Sequence, residues 1–232
     1  MSEGQQIFCF GKSINYVILK YESSTTLEWL SIQEQSVWYE DKIHRRGGND
    51  WLAGRFAIKK AILNWSLNKS KEQQNMNEIT ILNDANGAPV LVDMPYIWLA
   101  ISLSHKQSMG FAIASDDYPF VGCDMEKLTY RSEKMIPFFS SESEYKLWEE
   151  QKIHRDVVTL LWVMKEAAIK CLRRQFGAAP LKLDKIVVTP SVHNNFLFAY
   201  PEDAGSSGVH GQGIVWIDHE HAFALCATLQ LY

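Results

Sequence analysis

Short segments in which apolar and polar residues alternate recur along this chain, and two longer segments have helical periodicity instead. The alternation, rich in β-branched and aromatic residues, predicts strands. These strands are Ile14–Leu19, Ile79–Leu82, Trp98–Ser104, Gly110–Ser115, Val121–Lys127, Ile186–Thr189, Phe196–Tyr200, Gly213–Asp218 and Ala222–Leu229. Apolar stripes predict two long helices, Trp51–Leu67 and Val157–Phe176. The two long helices share a short sequence repeat, Ala57-Ile58-Lys59 and Ala168-Ile169-Lys170. This repeat hints at two similarly built halves.

Two shorter helices are predicted from their first turns. One begins at a cap on Thr25 or Thr26 and runs to about Lys42. The other begins at Ser141, and the spacing Ser141-x-x-Glu144 is that of a capping box.

Three consecutive strands in the middle of the chain have the spacing of a meander. Such a meander would place His105, at the end of the first strand, in one sheet with Asp124 and Glu126 of the third. A lone histidine is more often structural, but one at a strand end beside Ser102 and Ser104 suits contact with an anion.

Asp124 and Glu126 are two residues apart on a predicted strand, so both carboxylates point to the same face. An isolated pair of this kind usually marks a solvated strand end. A second segment favours a cation: Trp162, Glu166 and Lys170 recur every four residues on a helix apolar enough to be largely buried. A buried carboxylate needs a partner, and Mg²⁺ or Mn²⁺ shared with the strand pair would supply one.

A basic stretch begins at the loop before the first long helix. It comprises Lys42, Arg45, Arg46, Arg55, Lys59 and Lys60. Charge runs are usually a solvated surface, and the alternative is a cradle for a phosphate, for which arginine is well suited.

Composition narrows the class of protein. The chain is 47% hydrophobic and 22% charged, with a formal charge of −4, which argues against nucleic acid as the partner. No apolar run reaches the ~20 residues needed to span a bilayer, and the start of the chain does not have the pattern of a signal peptide. The four cysteines are scattered, so a cytoplasmic protein is predicted.

The two acidic segments together resemble the G-x-D-x-E and W-x-x-K-E-x-x-x-K signatures of Sfp-type 4′-phosphopantetheinyl transferases. Here they read Gly122-Cys-Asp124-Met-Glu126 and Trp162-Val-Met-Lys165-Glu166-Ala-Ala-Ile-Lys170. Three further segments have counterparts in that family: Ser102-Leu-Ser104-His105, Phe138-Phe139-Ser140 followed by Glu144, and Gly54-Arg55-Phe56. Ala88 departs from the family, which often has lysine there, as does Val163, where serine or threonine is common.

The resemblance implies an α+β fold of two similar α/β halves about a pseudo-twofold axis, each a small, mostly antiparallel sheet with a long helix. The halves would be residues 1–116 and 117–232. It also implies transfer of the 4′-phosphopantetheine arm of coenzyme A to a serine of an acyl, peptidyl or aryl carrier protein, with release of adenosine 3′,5′-bisphosphate. Family members of this size usually act as monomers.

The resemblance also assigns roles to single residues. The metal ligands would be Asp124, Glu126 and Glu166. The catalytic residues would be Glu166 as base, Lys170 and His105. Contacts to coenzyme A would come from Arg45, Arg46, Arg55, Ser104, His105, Lys165 and Lys170. Two alternatives remain open: another Mg²⁺-dependent enzyme acting on nucleotides or phosphate esters, and a non-catalytic module that binds coenzyme A or a carrier.

Overall fold

A computed structural model describes residues 5–9, 11–22, 26–69, 74–92, 98–176, 181–200 and 209–228. The chain divides into two compact units. Unit 1 comprises Met1–Phe8 and Ser13–Asp117, and unit 2 comprises Cys9–Lys12 and Tyr118–Tyr232. In the part of the chain described, no helix is both long and apolar enough to cross a membrane.

Unit 1 has a four-stranded sheet, a separate strand pair and two α-helices. In chain order the elements are β1 (Gln5–Cys9), β2 (Lys12–Lys20), α1 (Ile32–Glu40), α2 (Gly48–Lys69), β3 (Thr80–Asn83), β4 (Pro89–Val92), β5 (Ala100–Lys106) and β6 (Met109–Ser115). The sheet order is β1-β2-β6-β5, and β3 pairs with β4. The ladders β2–β6, β5–β6 and β3–β4 are antiparallel. The inner face of α2 packs on β6 and β5 through small residues such as Ala57 and Ala61, which allow close approach.

The start of α1 differs from the prediction. Thr25 lies outside the described residues, and the helix begins after Ser31. Ser31 Oγ accepts the Glu34 N–H, and the Glu34 carboxylate accepts the Ser31 N–H, which completes a capping box.

Unit 2 has one five-stranded sheet covered by two helices. Its elements are β7 (Phe120–Lys127), α3 (Glu142–Glu150), α4 (Val157–Phe176), β8 (Val187–Pro190), β9 (Asn195–Tyr200), β10 (Val209–Asp218) and β11 (His221–Thr228). Leu229, the predicted end of the last strand, lies outside the described residues. The order is β7-β11-β10-β9-β8 with every ladder antiparallel. Asp156 caps α4, since its carboxylate accepts the N–H of Thr159 at 3.1 Å.

The predicted meander is wrong. β5 and β6 form a hairpin in unit 1, whereas β7 pairs with β11 in unit 2, with Asp124 opposite Ala224. The chain passes from one unit to the other between Asp117 and Tyr118, so the short connection does not make a hairpin. His105 and Asp124 therefore lie in different sheets.

The predicted fold class is confirmed as a mixture of antiparallel sheets and helices, with one long helix in each unit. The pseudo-twofold relation between halves stays a prediction.

Candidate functional site

Helix α4 lies very close to β7 because Gly122 has no side chain. A Cβ atom on Gly122 would lie 2.0 Å from the carbonyl oxygen of Ala167 and 2.6 Å from the amide nitrogen of Cys171. Neither distance is a possible contact, so only glycine permits this approach. Asp124 and Glu126 follow at a spacing of two and share the strand face that points at the helix.

Asp124 is paired with a lysine of the helix. Lys170 Nζ lies 2.7 Å from Asp124 Oδ1 and also donates to the Cys123 carbonyl oxygen at 3.1 Å. Burial alone would lower the pKa of Lys170, but the charges of Asp124 and Glu166 outweigh it and raise the pKa above the ordinary 10.5. Lys170 of α4 therefore places a protonated ammonium beside β7.

Glu126 is paired with an arginine that follows the strand. Arg131 Nη2 lies 2.9 Å from Glu126 Oε2, and its guanidinium carbon lies 5.1 Å from the centre of the Trp162 ring. Phe139 packs edge-on against Trp162 at 5.2 Å between ring centres. The sequence interpretation missed Arg131, because nothing local links it to a residue on α4.

Glu166 lies on the same helix face as Trp162 and Lys170. Burial raises the pKa of Glu166 above its ordinary 4.5, and the negative charges of Asp124 and Glu126 raise it further. The positive charges of Lys170 and Arg173 lower the pKa of Glu166 but do not reverse the rise. The three carboxylates are thus close enough to interact through their charges.

These carboxylates do not form a ready-made metal site. Among the described residues, no three histidine, cysteine, aspartate or glutamate side chains are placed to hold an ion as they stand. The donor chemistry suits a hard divalent cation, since all three ligands are carboxylate oxygens. Lys170 and Arg131, however, form ion pairs with Asp124 and Glu126, each through one carboxylate oxygen.

Lys165 is placed differently from its predicted role as a contact to coenzyme A. Its side chain is 1% exposed, and its Nζ lies 2.7 Å from Glu144 Oε2. The same ammonium contacts the carbonyl oxygens of Leu183 and Ile186. Half of the predicted capping box is present, since Ser141 Oγ accepts the Glu144 N–H at 3.1 Å. The Glu144 carboxylate binds Lys165 and accepts the hydroxyl of Ser140.

Two of the predicted coenzyme A contacts, Ser104 and His105, lie in β5 of unit 1. His105 is exposed at the end of β5 and lies over Gly54 of α2, where a Cβ atom on the glycine would be 2.8 Å from the imidazole Cδ2. Ser104, its neighbour, is buried.

Arg55 is buried, which the prediction of a phosphate contact did not anticipate. It donates to Asn83 Oδ1 at 2.5 Å and lies over the Trp51 ring at 5.0 Å, with Glu34 Oε1 3.8 Å from its Nε. Burial lowers its pKa to about 10, a shift that the charge of Glu34 partly offsets.

Arg45 and Arg46 are exposed in the loop before α2. Arg45 forms an ion pair with Asp41, which also binds Lys42 at 2.6 Å. Of the predicted basic cradle, these two arginines are the members most accessible to a ligand.

Residues 120–226 match the family model of the 4′-phosphopantetheinyl transferase superfamily (ACPS). The matched span covers a little under half of the chain and contains Asp124, Glu126, Glu166 and Lys170. The match is to the superfamily and does not separate the Sfp type from other members.

Among solved structures, the chain is similar to the crystal structure of Thermotoga maritima holo-acyl-carrier-protein synthase (AcpS), with 19% identity and a TM-score of 0.34. The similarity covers 48% of this chain and 64% of that protein's chain. A structural similarity at this TM-score is too low to support a conclusion about the fold or the chemistry of this chain. No curated protein matches the sequence.

Proposed function

We propose that this protein transfers the 4′-phosphopantetheine arm of coenzyme A to a serine of an acyl, peptidyl or aryl carrier protein. The observation that carries the proposal is the superfamily match over residues 120–226, which encloses the acidic residues of β7 and α4. The electrostatic coupling of Asp124, Glu126 and Glu166, with Lys170 beside them, supports it independently.

In the proposed reaction the serine oxygen of the carrier attacks the phosphorus that bears the pantetheine arm. A new P–O bond forms, the bond to the adenosine bisphosphate breaks, and the leaving group keeps its electron pair. Glu166 takes the serine proton, directly or through a water, as the general base. Lys170 neutralises the charge that builds on the phosphate oxygens.

Asp124, Glu126 and Glu166 are the proposed ligands of Mg²⁺, with Mn²⁺ as a substitute. When bound, the ion would polarise the phosphorus and neutralise the diphosphate. Because Mg²⁺ keeps several waters, one of the three carboxylates can act through water.

Coenzyme A is the proposed co-substrate, and unit 1 supplies the proposed contacts. Arg45 and Arg46 are exposed arginines for its 3′-phosphate and adenine side. His105 and the adjacent Ser104 remain the proposed contacts to the phosphates. Arg55 is the third arginine of the proposed set, and its buried guanidinium donates to Asn83. A monomeric, cytoplasmic enzyme stays a prediction.

The decisive experiment is incubation of the protein with coenzyme A, Mg²⁺ and an apo carrier. The carrier is expected to gain one phosphopantetheine at one serine, detected by intact mass and peptide mapping. Glu166→Gln is expected to slow labelling by about 100-fold, the usual contribution of a general base. Lys127→Met is the control, because Lys127 forms a surface ion pair with the exposed Glu220.

The same assay separates the alternatives. Hydrolysis of coenzyme A or of other phosphate esters without labelling of any carrier would overturn the proposal in favour of a Mg²⁺-dependent hydrolase. Binding of coenzyme A without turnover would identify a non-catalytic module.

A further inference from the structure

A buried ion pair joins α3, α4 and the start of β8 in unit 2. Glu144 accepts the N–H of Val188 through Oε1 at 2.6 Å and binds Lys165 through Oε2 at 2.7 Å. The other donors of the Lys165 ammonium face the carbonyl oxygens of Leu183 and Ile186, in the turn before β8. We call this arrangement the unit 2 clamp.

The same arrangement occurs in unit 1. Glu34 accepts the N–H of Ile81 in β3 at 3.3 Å and forms an ion pair with Lys59 of α2. Lys59 also donates to the carbonyl oxygens of Trp29 at 3.0 Å and Met76 at 2.9 Å. This is the unit 1 clamp, in which the lysine and glutamate side chains are both 0% exposed.

The two clamps agree element by element. In each, the glutamate is the third residue of a short helix whose N-cap is serine, Ser31 or Ser141. In each, the lysine belongs to the long helix, and the accepted N–H belongs to the strand that follows a 3₁₀ turn. Lys59 and Lys165 therefore occupy corresponding positions in the two units. The Ala-Ile-Lys repeat in the sequence pairs Lys59 with Lys170 instead.

The clamps differ in the residue that follows the lysine. After Lys59 comes Lys60, whereas after Lys165 comes Glu166. Successive side chains on an α-helix are separated by a fixed rotation of about 100°. The ion pair with Glu144 fixes the direction of the Lys165 side chain. The direction of the next side chain, Glu166, is fixed with it. Gly122, which lies against the backbone of Ala167, allows the helix to pack directly on β7 at this level.

We infer that the unit 2 clamp is a positioning device for the candidate site: Lys165 and Glu144 fix the rotation of α4 that aims Glu166 at the strand carboxylates, and Lys165 does not touch the ligand. The inference rests on the proposed function. Lys165 was predicted to contact coenzyme A. Its ammonium instead has three acceptors within the protein, and its side chain is almost fully buried.

The test uses paired neutral variants, because removing one member of a buried ion pair leaves an uncompensated charge that can prevent folding. Lys165→Met/Glu144→Gln keeps an acceptor for the Val188 N–H. The matched control, Lys59→Met/Glu34→Gln, makes the same chemical change in unit 1. Carrier labelling is measured over a range of coenzyme A concentrations, which gives kcat and KM, and kcat is normalised to the folded fraction from urea titration.

The unit 2 variant is expected to lower kcat by about 100-fold, the loss that a misplacement of about 1 Å can cause, with KM for coenzyme A unchanged. The unit 1 variant is expected to lower kcat far less than the unit 2 variant does. A raised KM with unchanged kcat in the unit 2 variant would identify Lys165 as a ligand contact and overturn the inference. Equal losses of kcat in both variants would also overturn it, because the clamps would then be only structural.

A second measurement does not depend on activity or metal. Trp162 lies one turn before Glu166 on the same face, so its environment reports the rotation of α4. The protein is labelled with 5-fluorotryptophan, and the Trp162 ¹⁹F resonance is assigned with Trp162→Phe. A shift in the unit 2 variant and none in the unit 1 variant is expected, and an unchanged resonance in both contradicts the inference. If no carrier is labelled by the wild-type protein, the proposed function fails, while this measurement still decides the role of the clamp.

Discussion

Lys170 of α4 and Asp124 of β7 form an ion pair at 2.7 Å, and the same ammonium donates to the Cys123 carbonyl oxygen at 3.1 Å. The lysine thus joins the helix to the strand through both a side chain and the backbone. It also places a cation beside the carboxylates, where the diphosphate of the proposed substrate would need one.

Lys170→Met is expected to reduce carrier labelling by about 10²–10³-fold, because a donor aimed at developing charge is lost. The unfolding free energy should fall as well, since Asp124 is left without its cation. Adding Asp124→Asn should recover stability but not activity, as measured by urea titration and labelling. Recovery of activity in the double variant would contradict the roles proposed for both Lys170 and Asp124.

Glu166→Gln is expected to stabilise the metal-free protein near neutral pH. Burial and Asp124 raise the pKa of Glu166, so the folded state holds its proton more tightly than the unfolded state does. The ionised carboxylate therefore weakens the fold above its folded-state pKa, and the penalty vanishes below the ordinary 4.5.

Urea titrations in chelator, at neutral pH and below pH 4.5, measure this difference. Glu142→Gln is the opposite control, since its hydrogen bond to Lys146 lowers the pKa of Glu142 and ionisation there favours the fold. A Glu166→Gln variant less stable than wild type at neutral pH would contradict the electrostatic arrangement described for Glu166.

Arg131→Met is expected to lower the unfolding free energy by about 1–2 kcal/mol, through loss of the Trp162 contact and of the pair with the 15% exposed Glu126. Arg131→Lys should recover only part, because an ammonium does not stack as a planar guanidinium does. Lys127→Met, which breaks an exposed pair, should cost less than about 1 kcal/mol. Full recovery by lysine would mean that charge alone matters at position 131.

Gly122→Ala is expected to destabilise unit 2 by about 3 kcal/mol or more, because its methyl group would overlap the Ala167 carbonyl oxygen and force α4 away from β7. Thermal unfolding measures the loss. Gly87→Asn is the control: it lies in a turn with φ of +81° and open space around it, a conformation that asparagine tolerates. Near-wild-type stability of Gly122→Ala would mean that the helix is not held at this distance.

The unit 2 part of the candidate site could be predicted from local periodicity. The spacing of two puts Asp124 and Glu126 on one strand face, and the spacing of four puts Glu166 and Lys170 on one helix face. These rules depend only on the geometry of single elements, and the structure follows them.

Contacts between distant segments could not be predicted. The pairing of β7 with β11 depends on residues far along the chain, so the nearer strand β6 was the natural but wrong partner. Glu144 and Lys165 each have an ordinary local interpretation, one as a capping residue and one as a ligand contact. Only the folded chain shows that these two side chains neutralise each other.

The ladder between β7 and β11, in which Lys127 lies opposite His221, also sets the order in which the site can be completed during synthesis. A ribosome makes Asp124 and Glu126 early in unit 2 but their neighbouring strand at its end. Strand β7, which bears Asp124 and Glu126, therefore lacks its hydrogen-bonded partner until β11 has been synthesised. Chains arrested before β11 are therefore expected to remain sensitive to protease around Gly122.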